Sequence, residues 1–512
     1  MRSPVLNATS NERSKATSQG ELTRMCSVLV NPRGVWMLGV SPGRLPCYKS
    51  GMLHMTMRHC VLTILCVVAA CQNPGAAPNS RAHDSRSLAR PVVEGEVAVG
   101  FVVGTLSEGE DWVGGFGETR LGSQEAPGAQ TLYEIGSITK VFTGVLLAGA
   151  VLRGEVNLED PVNRFLPPEA QIPDHASGPV RLWHLTTHTS GLPRMPGNFK
   201  PANAADPYAD YSEADLFAGL PKLKLLSSPG KKFLYSNLGA GLLGAVLARA
   251  TDQPYEELLR ERILDPLELR DTRIVLDEEQ RARFAPPYDA DRRPASEWHL
   301  NGLAPAGALR SSAGDLLRFA QAMLNPPKNK VGDALRKSRD ELFVGSDGKI
   351  ILAYGWHKLP NESVIAHNGR TGGYASFLTL DLEHNEALVF LTNSPGSEVE
   401  VLAAQALDVM LEKEVRPNPI RVEIHLSDAV LDRYVGTYRF GAFQELIVSR
   451  REGGLLAQMT FQGAAHLYAS GEEEFFYRAV DARIIFDLDK NGRPTGLALH
   501  QNGQILRAQR KE

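Results

Sequence analysis

The segment Arg416-Pro417-Asn418-Pro419 divides this chain into two stretches with different structural grammars. Its two prolines stop the apolar helical pattern of 399–413, because proline cannot donate the amide hydrogen that a helix interior needs. Beyond the break, strand-like runs recur at 434–440, 445–450, 454–461, 464–468, 474–478, 482–488, 494–499 and 504–509. Gly441, Gly453-Gly454, Gly463, Gly471, Asn491-Gly492 and Asn502-Gly503 punctuate them as turns. Such runs without intervening helices predict a small antiparallel barrel or sandwich over 423–512.

Ahead of the break, strands and helices separate along the chain. Val92-Val93, 97–103 and 112–117 read as paired strands and a turn. Thr139 to Leu152 (TKVFTGVLLAGAVL) is apolar on all sides, the mark of a buried helix, and Ala240 to Ala250 is similar and rich in small residues. Ser312-Ala313-Gly314-Asp315 opens a helix over Leu316 to Leu324 with capping-box spacing, so Asp315 reads as a cap without catalytic work. Strand patterns return at 363–366, 376–380 and 387–391. A sheet assembled from both ends of 91–415 with helices between is an α+β architecture.

The leader carries all five cysteines: Cys26, Cys47, Cys60, Cys66 and Cys71. The body therefore has neither a disulfide framework nor a cysteine-based metal site or nucleophile. Met57-Arg58-His59 followed by an apolar run from Val61 to Ala70 is too short to span a bilayer and suits a secretory signal. Val68-Ala69-Ala70-Cys71 resembles a bacterial lipoprotein signal, which implies export and a lipid on Cys71 within the cell envelope. Residues 1–56 fit no signal pattern and are expected to be a non-native or disordered extension, with translation starting in the Met52–Met57 cluster. Residues 72–90, rich in Asn, Pro, Ala and Ser, form a flexible linker. The formal net charge of -4 argues against nucleic-acid binding. Metal-ligand spacings, dinucleotide fingerprints and P-loops are absent from the sequence, so no cofactor is expected.

Three clusters carry candidate chemistry. In Gly136-Ser137-Ile138-Thr139-Lys140 the hydroxyl and the amine lie one helical turn apart, so a buried, neutral Lys140 could activate Ser137. A helix N-terminus there would place the Ser137 N–H in a positive potential useful to an oxyanion. Such spacing also arises by chance. Tyr235-Ser236-Asn237 supplies a phenol for proton transfer and an amide for positioning, or else a helix cap beside a core tyrosine. His367-Asn368-Gly369-Arg370, after a strand, would let a substrate lie against the backbone at Gly369, or would form an ordinary turn. His184 and His188 invite a Ser-His-Asp arrangement, but no G-x-S-x-G elbow surrounds Ser137, and His188 is expected to be a structural loop histidine.

Ser137-x-x-Lys140, Tyr235-x-Asn237 and His367-x-Gly369, in this order, resemble the class C β-lactamases and D-alanyl-D-alanine carboxypeptidases. Phe116-Gly117-Glu118-Thr119-Arg120, Thr187 to Arg194 (THTSGLPR) and Ser228-Pro229-Gly230 are also similar to that family, in particular to its AmpH-like carboxypeptidase/endopeptidase branch. The resemblance spans about 95–412. It implies a β-lactamase/transpeptidase-like domain and acylation of Ser137, with Lys140 and Tyr235 sharing the proton transfers. Asn237 would then position the substrate amide, and the N–H groups of Ser137 and Arg370 would bind the oxyanion. The implied substrates are peptidoglycan-derived peptides or β-lactams; a small ester is an alternative, as is a catalytically silent penicillin-binding-like sensor. His367 stands where many relatives have lysine, which leaves Arg370 as a candidate source of the missing charge. The C-terminal segment is similar to a lipocalin-like domain, with packing against the hydrolase or control of substrate access as its expected roles.

Overall fold

The computed structural model describes Val92 and residues 97–511, apart from 108, 361–362, 412, 414, 416–419, 442, 452, 461 and 502. The leader with its signal and cysteines lies outside the described residues.

An eight-stranded antiparallel sheet organises the first domain. Its strands run in the order Glu110–Gly117, Gly100–Ser107, Glu386–Thr392, Ala375–Asp381, Val364–Arg370, His357–Lys358, Ile351–Leu352 and Phe343–Val344. The strand nearest the N-terminus pairs with one almost three hundred residues later, in the register Val102↔Leu391. Both faces are covered, and alternate side chains serve opposite layers. Phe101, Val103, Leu388 and Phe390 meet Val399, Leu402 and Ala406 of the helix Ser397–Met410. Val102, Leu106, Val389 and Leu391 face the larger core, which includes the helices Thr139–Leu152 and Ala313–Leu324. Those two helices meet through Phe142 and Phe319, whose rings stack at 4.4 Å.

The second domain is a closed barrel of eight antiparallel strands between Gly436 and Arg510, sealed where Tyr438 and Arg439 pair with Arg510 and Gln509. Closure leaves no free edge for another chain to extend. Arg421 ties the domains together, reaching Glu398 at 3.5 Å and Asp481 at 2.7 Å, while Arg293 meets His466 at 3.2 Å.

Local expectations needed three corrections. Val92 is helical and not part of a strand. Tyr434 ends a short helix, Asp428–Tyr434, whose Leu431 and Tyr434 share a buried face; the tyrosine ring enters the barrel core 4.5 Å from Phe486. Ser312 does cap its helix by accepting the Asp315 N–H, but the Asp315 carboxylate accepts hydrogen bonds from the Asp271 N–H and the Thr272 hydroxyl. Asp315 thus anchors a neighbouring loop instead of completing a capping box.

Candidate active site

Ser137 sits in a single tight turn, Gly136–Ile138, directly before the buried helix Thr139–Leu152. Thr139 locks the turn by donating its hydroxyl to the Gly136 carbonyl at 2.7 Å. Lys140 follows one turn later, 3% exposed, with Nζ 2.9 Å from Ser137 Oγ and donating to the Ala306 carbonyl at 2.6 Å. Burial first, and then the nearby Arg194 guanidinium, lower the Lys140 pKa well below the usual lysine range. An amine that loses its proton easily, in contact with a hydroxyl, can take that hydroxyl's proton.

Tyr235 and Asn237 come from the start of the helix Asn237–Thr251. Ser236 caps that helix by accepting the Gly239 N–H at 2.9 Å, and it donates its hydroxyl to the Pro193 carbonyl at 2.7 Å. The Lys140 amine lies 4.9 Å from the centre of the Tyr235 ring. Burial pushes the Tyr235 phenol up to about 12, offset in part by its contact with the Ser137 hydroxyl and by Arg194. The Asn237 amide nitrogen approaches Met195 Sδ at 3.8 Å, and its buried Oδ1 has no hydrogen-bond partner among the described residues.

The strand Val364–Arg370 forms the opposite boundary of the Ser137 turn. A Cβ on Gly136, which has φ +47°, would sit 2.8 Å from the Arg370 nitrogen, and a Cβ on Gly369 would fall 2.0 Å from the Ile135 carbonyl oxygen. The bareness of Gly369 therefore admits the protein's own backbone, not a substrate as its position in the sequence implied. The Arg370 side chain leaves the site to form an ion pair with Glu400.

His367 is fully enclosed within this strand. Its Nδ1 lies 2.7 Å from the Asn368 carbonyl, which only accepts, so Nδ1 carries the hydrogen and Nε2 offers a lone pair. That Nε2 is buried without a partner among the described residues. Burial, followed by His357 and Lys140, holds the imidazole well below the usual histidine range. His357 packs edge-on against it, with ring centres 5.3 Å apart. His188 supports the tyrosine's turn: Nδ1 accepts the Ser236 N–H at 3.2 Å and the ring lies 4.3 Å from Tyr235. His184 accepts the Arg181 N–H at the start of its own short helix.

Ser137, Lys140, Tyr235, His367, Gly369 and the Arg370 backbone thus converge, whereas the Arg370 guanidinium does not, and the Asn237 amide nitrogen beside Tyr235 approaches Met195. Two neighbours had no assigned role in the sequence reading. Arg194 lies 5.4 Å from the Tyr235 ring centre, and His357 supports His367. Arg194 lay within the quoted phrase THTSGLPR, yet nothing in its spacing placed it over the tyrosine.

Among known proteins, the family described as Beta-lactamase matches residues 86–410, and Domain of unknown function (DUF3471) matches 421–510. The chain is 30% identical over 317 residues to the D-alanyl-D-alanine-carboxypeptidase/endopeptidase AmpH of Escherichia coli K12, covering 58% of this chain and 80% of that protein. It is 27% identical over 371 residues to a beta-lactamase of the same organism, covering 65% of this chain and 93% of that one. The solved Yersinia pestis beta-lactamase/D-alanine carboxypeptidase complexed with citrate superimposes with a TM-score of 0.57 at 24% identity, over 65% of this chain and 99% of that one. A class C beta-lactamase does so with a TM-score of 0.58 at 22% identity, over 68% and 100%.

Proposed function

Because the chain belongs to the Beta-lactamase family of serine hydrolases, we propose that it hydrolyses D-alanyl-D-alanine-type cell-wall peptides through an acyl-enzyme on Ser137. The observation that carries this reading is the 2.9 Å contact between Ser137 Oγ and a buried Lys140 amine, with Tyr235 at the same hydroxyl. Similarity to a carboxypeptidase/endopeptidase supports the choice of substrate.

Neutral Lys140 takes the Ser137 proton as Oγ attacks the peptide carbonyl, forming a C–O bond and a tetrahedral oxyanion. The Ser137 and Arg370 N–H groups hold that oxyanion. Lys140 is the base in this reading, since Tyr235 at about 12 keeps its proton at neutral pH. The phenol relays a proton to the departing amine as the C–N bond breaks. Asn237 orients the acyl-side amide. Water then attacks the ester, and Ser137 recovers its proton as the acid product leaves. Export and lipidation at Cys71 belong to the same reading and rest on the sequence of 57–71, outside the described residues. The lipocalin-like assignment likewise rests on sequence; its support here is the closed eight-stranded barrel.

Release of D-alanine from an N-acyl-D-Ala-D-Ala peptide, together with slow loss of a fluorescent penicillin label, is the expected result. Rapid label loss would make the chain a β-lactamase, and ester turnover without D-alanine release an esterase. Acylation should also follow Lys140. Because the depressed amine must be neutral to act, the rate rises with pH through its pKa and levels off well below the 10.5 of an exposed lysine. A stopped-flow acylation profile checks this; a rate still climbing at pH 10 contradicts it.

A further inference from the structure

We propose that Arg194 is the specificity-determining cation that receives a carboxylate of the substrate. This rests on the acyl-enzyme reading above and assigns the charge recognition that it leaves open.

Three groups near Ser137 could pair with an anion, and the structure removes each of them. Arg370 is engaged by Glu400. His367 is enclosed, and its Nε2 carries a lone pair that would repel a carboxylate. Lys140 is occupied by Ser137 and Ala306 and must be neutral when it acts as base.

Arg194 remains. Its guanidinium is half-buried over the Tyr235 ring, and no carboxylate among the described residues forms an ion pair with it. Burial lowers its pKa, with Tyr235 and Tyr208 acting in the opposite sense, and no acidic residue contributes. A guanidinium held out of bulk water without a counterion gains most from a carboxylate, because its planar fork matches both oxygens.

The mounting is rigid. The Arg194 carbonyl accepts the N–H groups of Asn237 and Leu238 at 3.0 and 3.1 Å, fastening its loop to the first turn of the helix that carries Asn237. Stacking on Tyr235 limits the rotamers of the side chain. The site thus offers a cation on the wall formed by Tyr235 and the Arg194 loop. A substrate with its carboxylate toward that loop satisfies it.

Arg194 also lowers the Lys140 pKa, so its loss alters turnover of every substrate. The discriminating readout is therefore a ratio: kcat/KM for an N-acyl-D-Ala-D-Ala peptide with a free carboxylate over that for its C-terminal amide. Arg194→Met keeps apolar bulk on the tyrosine ring, and Arg194→Lys keeps charge without the fork. Arg194→Met is expected to lower the ratio roughly ten- to a hundredfold, mainly through KM of the carboxylate substrate, as for loss of a charged hydrogen-bonded pair. Arg194→Lys should recover part of it. An unchanged ratio in Arg194→Met, with both substrates slowed equally and the pH profile displaced, overturns the proposal and leaves Arg194 as a tuner of Lys140. If the wild type cleaves both peptides no faster than Ser137→Ala does, the acyl-enzyme reading itself has failed.

Discussion

Lys140→Ala is expected to slow acylation of Ser137 by about 10³-fold or more while leaving a folded protein. The amine lies 2.9 Å from Ser137 Oγ, and burial has already weakened its hold on a proton, whereas the Tyr235 phenol at the same hydroxyl keeps its own. Removing it strips the hydroxyl of its base and leaves the Ala306 carbonyl without that donor. Losing one buried hydrogen bond costs about 1–3 kcal/mol, less than typical domain stability. Lys140→Arg separates base from cation. Arginine keeps the charge and a donor for Ala306 but cannot deprotonate in a protein, so it should acylate no better than alanine. Rates of fluorescent-penicillin labelling, read beside thermal melting, check both variants. An active Lys140→Arg would mean that Lys140 serves as a fixed positive charge.

Gly369→Ala should be nearly as damaging, for a steric reason. Its Cβ would stand 2.0 Å from the Ile135 carbonyl and 2.5 Å from Ser376 Oγ, the hydroxyl that donates to that same carbonyl. Strand and turn must separate, and the turn is the one that aims Ser137. Overpacking of this kind costs about 1–3 kcal/mol, and a shift near 1 Å at a reacting centre can cost about a hundredfold in rate. Melting temperature and acylation rate should fall together. A variant with normal stability and normal acylation would show that the close approach at Ile135 is not needed.

Much of this was legible in the residues because the deciding signals were local. Ser137 and Lys140 are joined by helical spacing, and the helix 139–152 has the bounds its apolar run implied. The C-terminal strands are separated by glycine and asparagine turns, so the barrel's elements could be read one at a time, although its closure between Tyr438 and Arg510 could not. Asp428–Tyr434 escaped because two buried residues at helical spacing are a faint signal beside a strand-rich neighbour. The sheet order also escaped, since pairing Gly100–Ser107 with Glu386–Thr392 depends on contacts far apart in the chain. Arg370 and Arg194 make the same point within the site. Adjacency to His367 drew attention to Arg370, but its side chain turns to Glu400 on a helix thirty residues on. Arg194 reaches Tyr235 only because its loop is bonded to the first turn of another helix.

In the proposed reaction Ser137 becomes covalently acylated. Intact-mass spectrometry after brief exposure to a penicillin, followed by peptide mapping, tests it directly. One added penicilloyl mass is expected, located on the peptide that contains Ser137 and missing from Ser137→Ala. An adduct elsewhere, or equal labelling of Ser137→Ala, would contradict it.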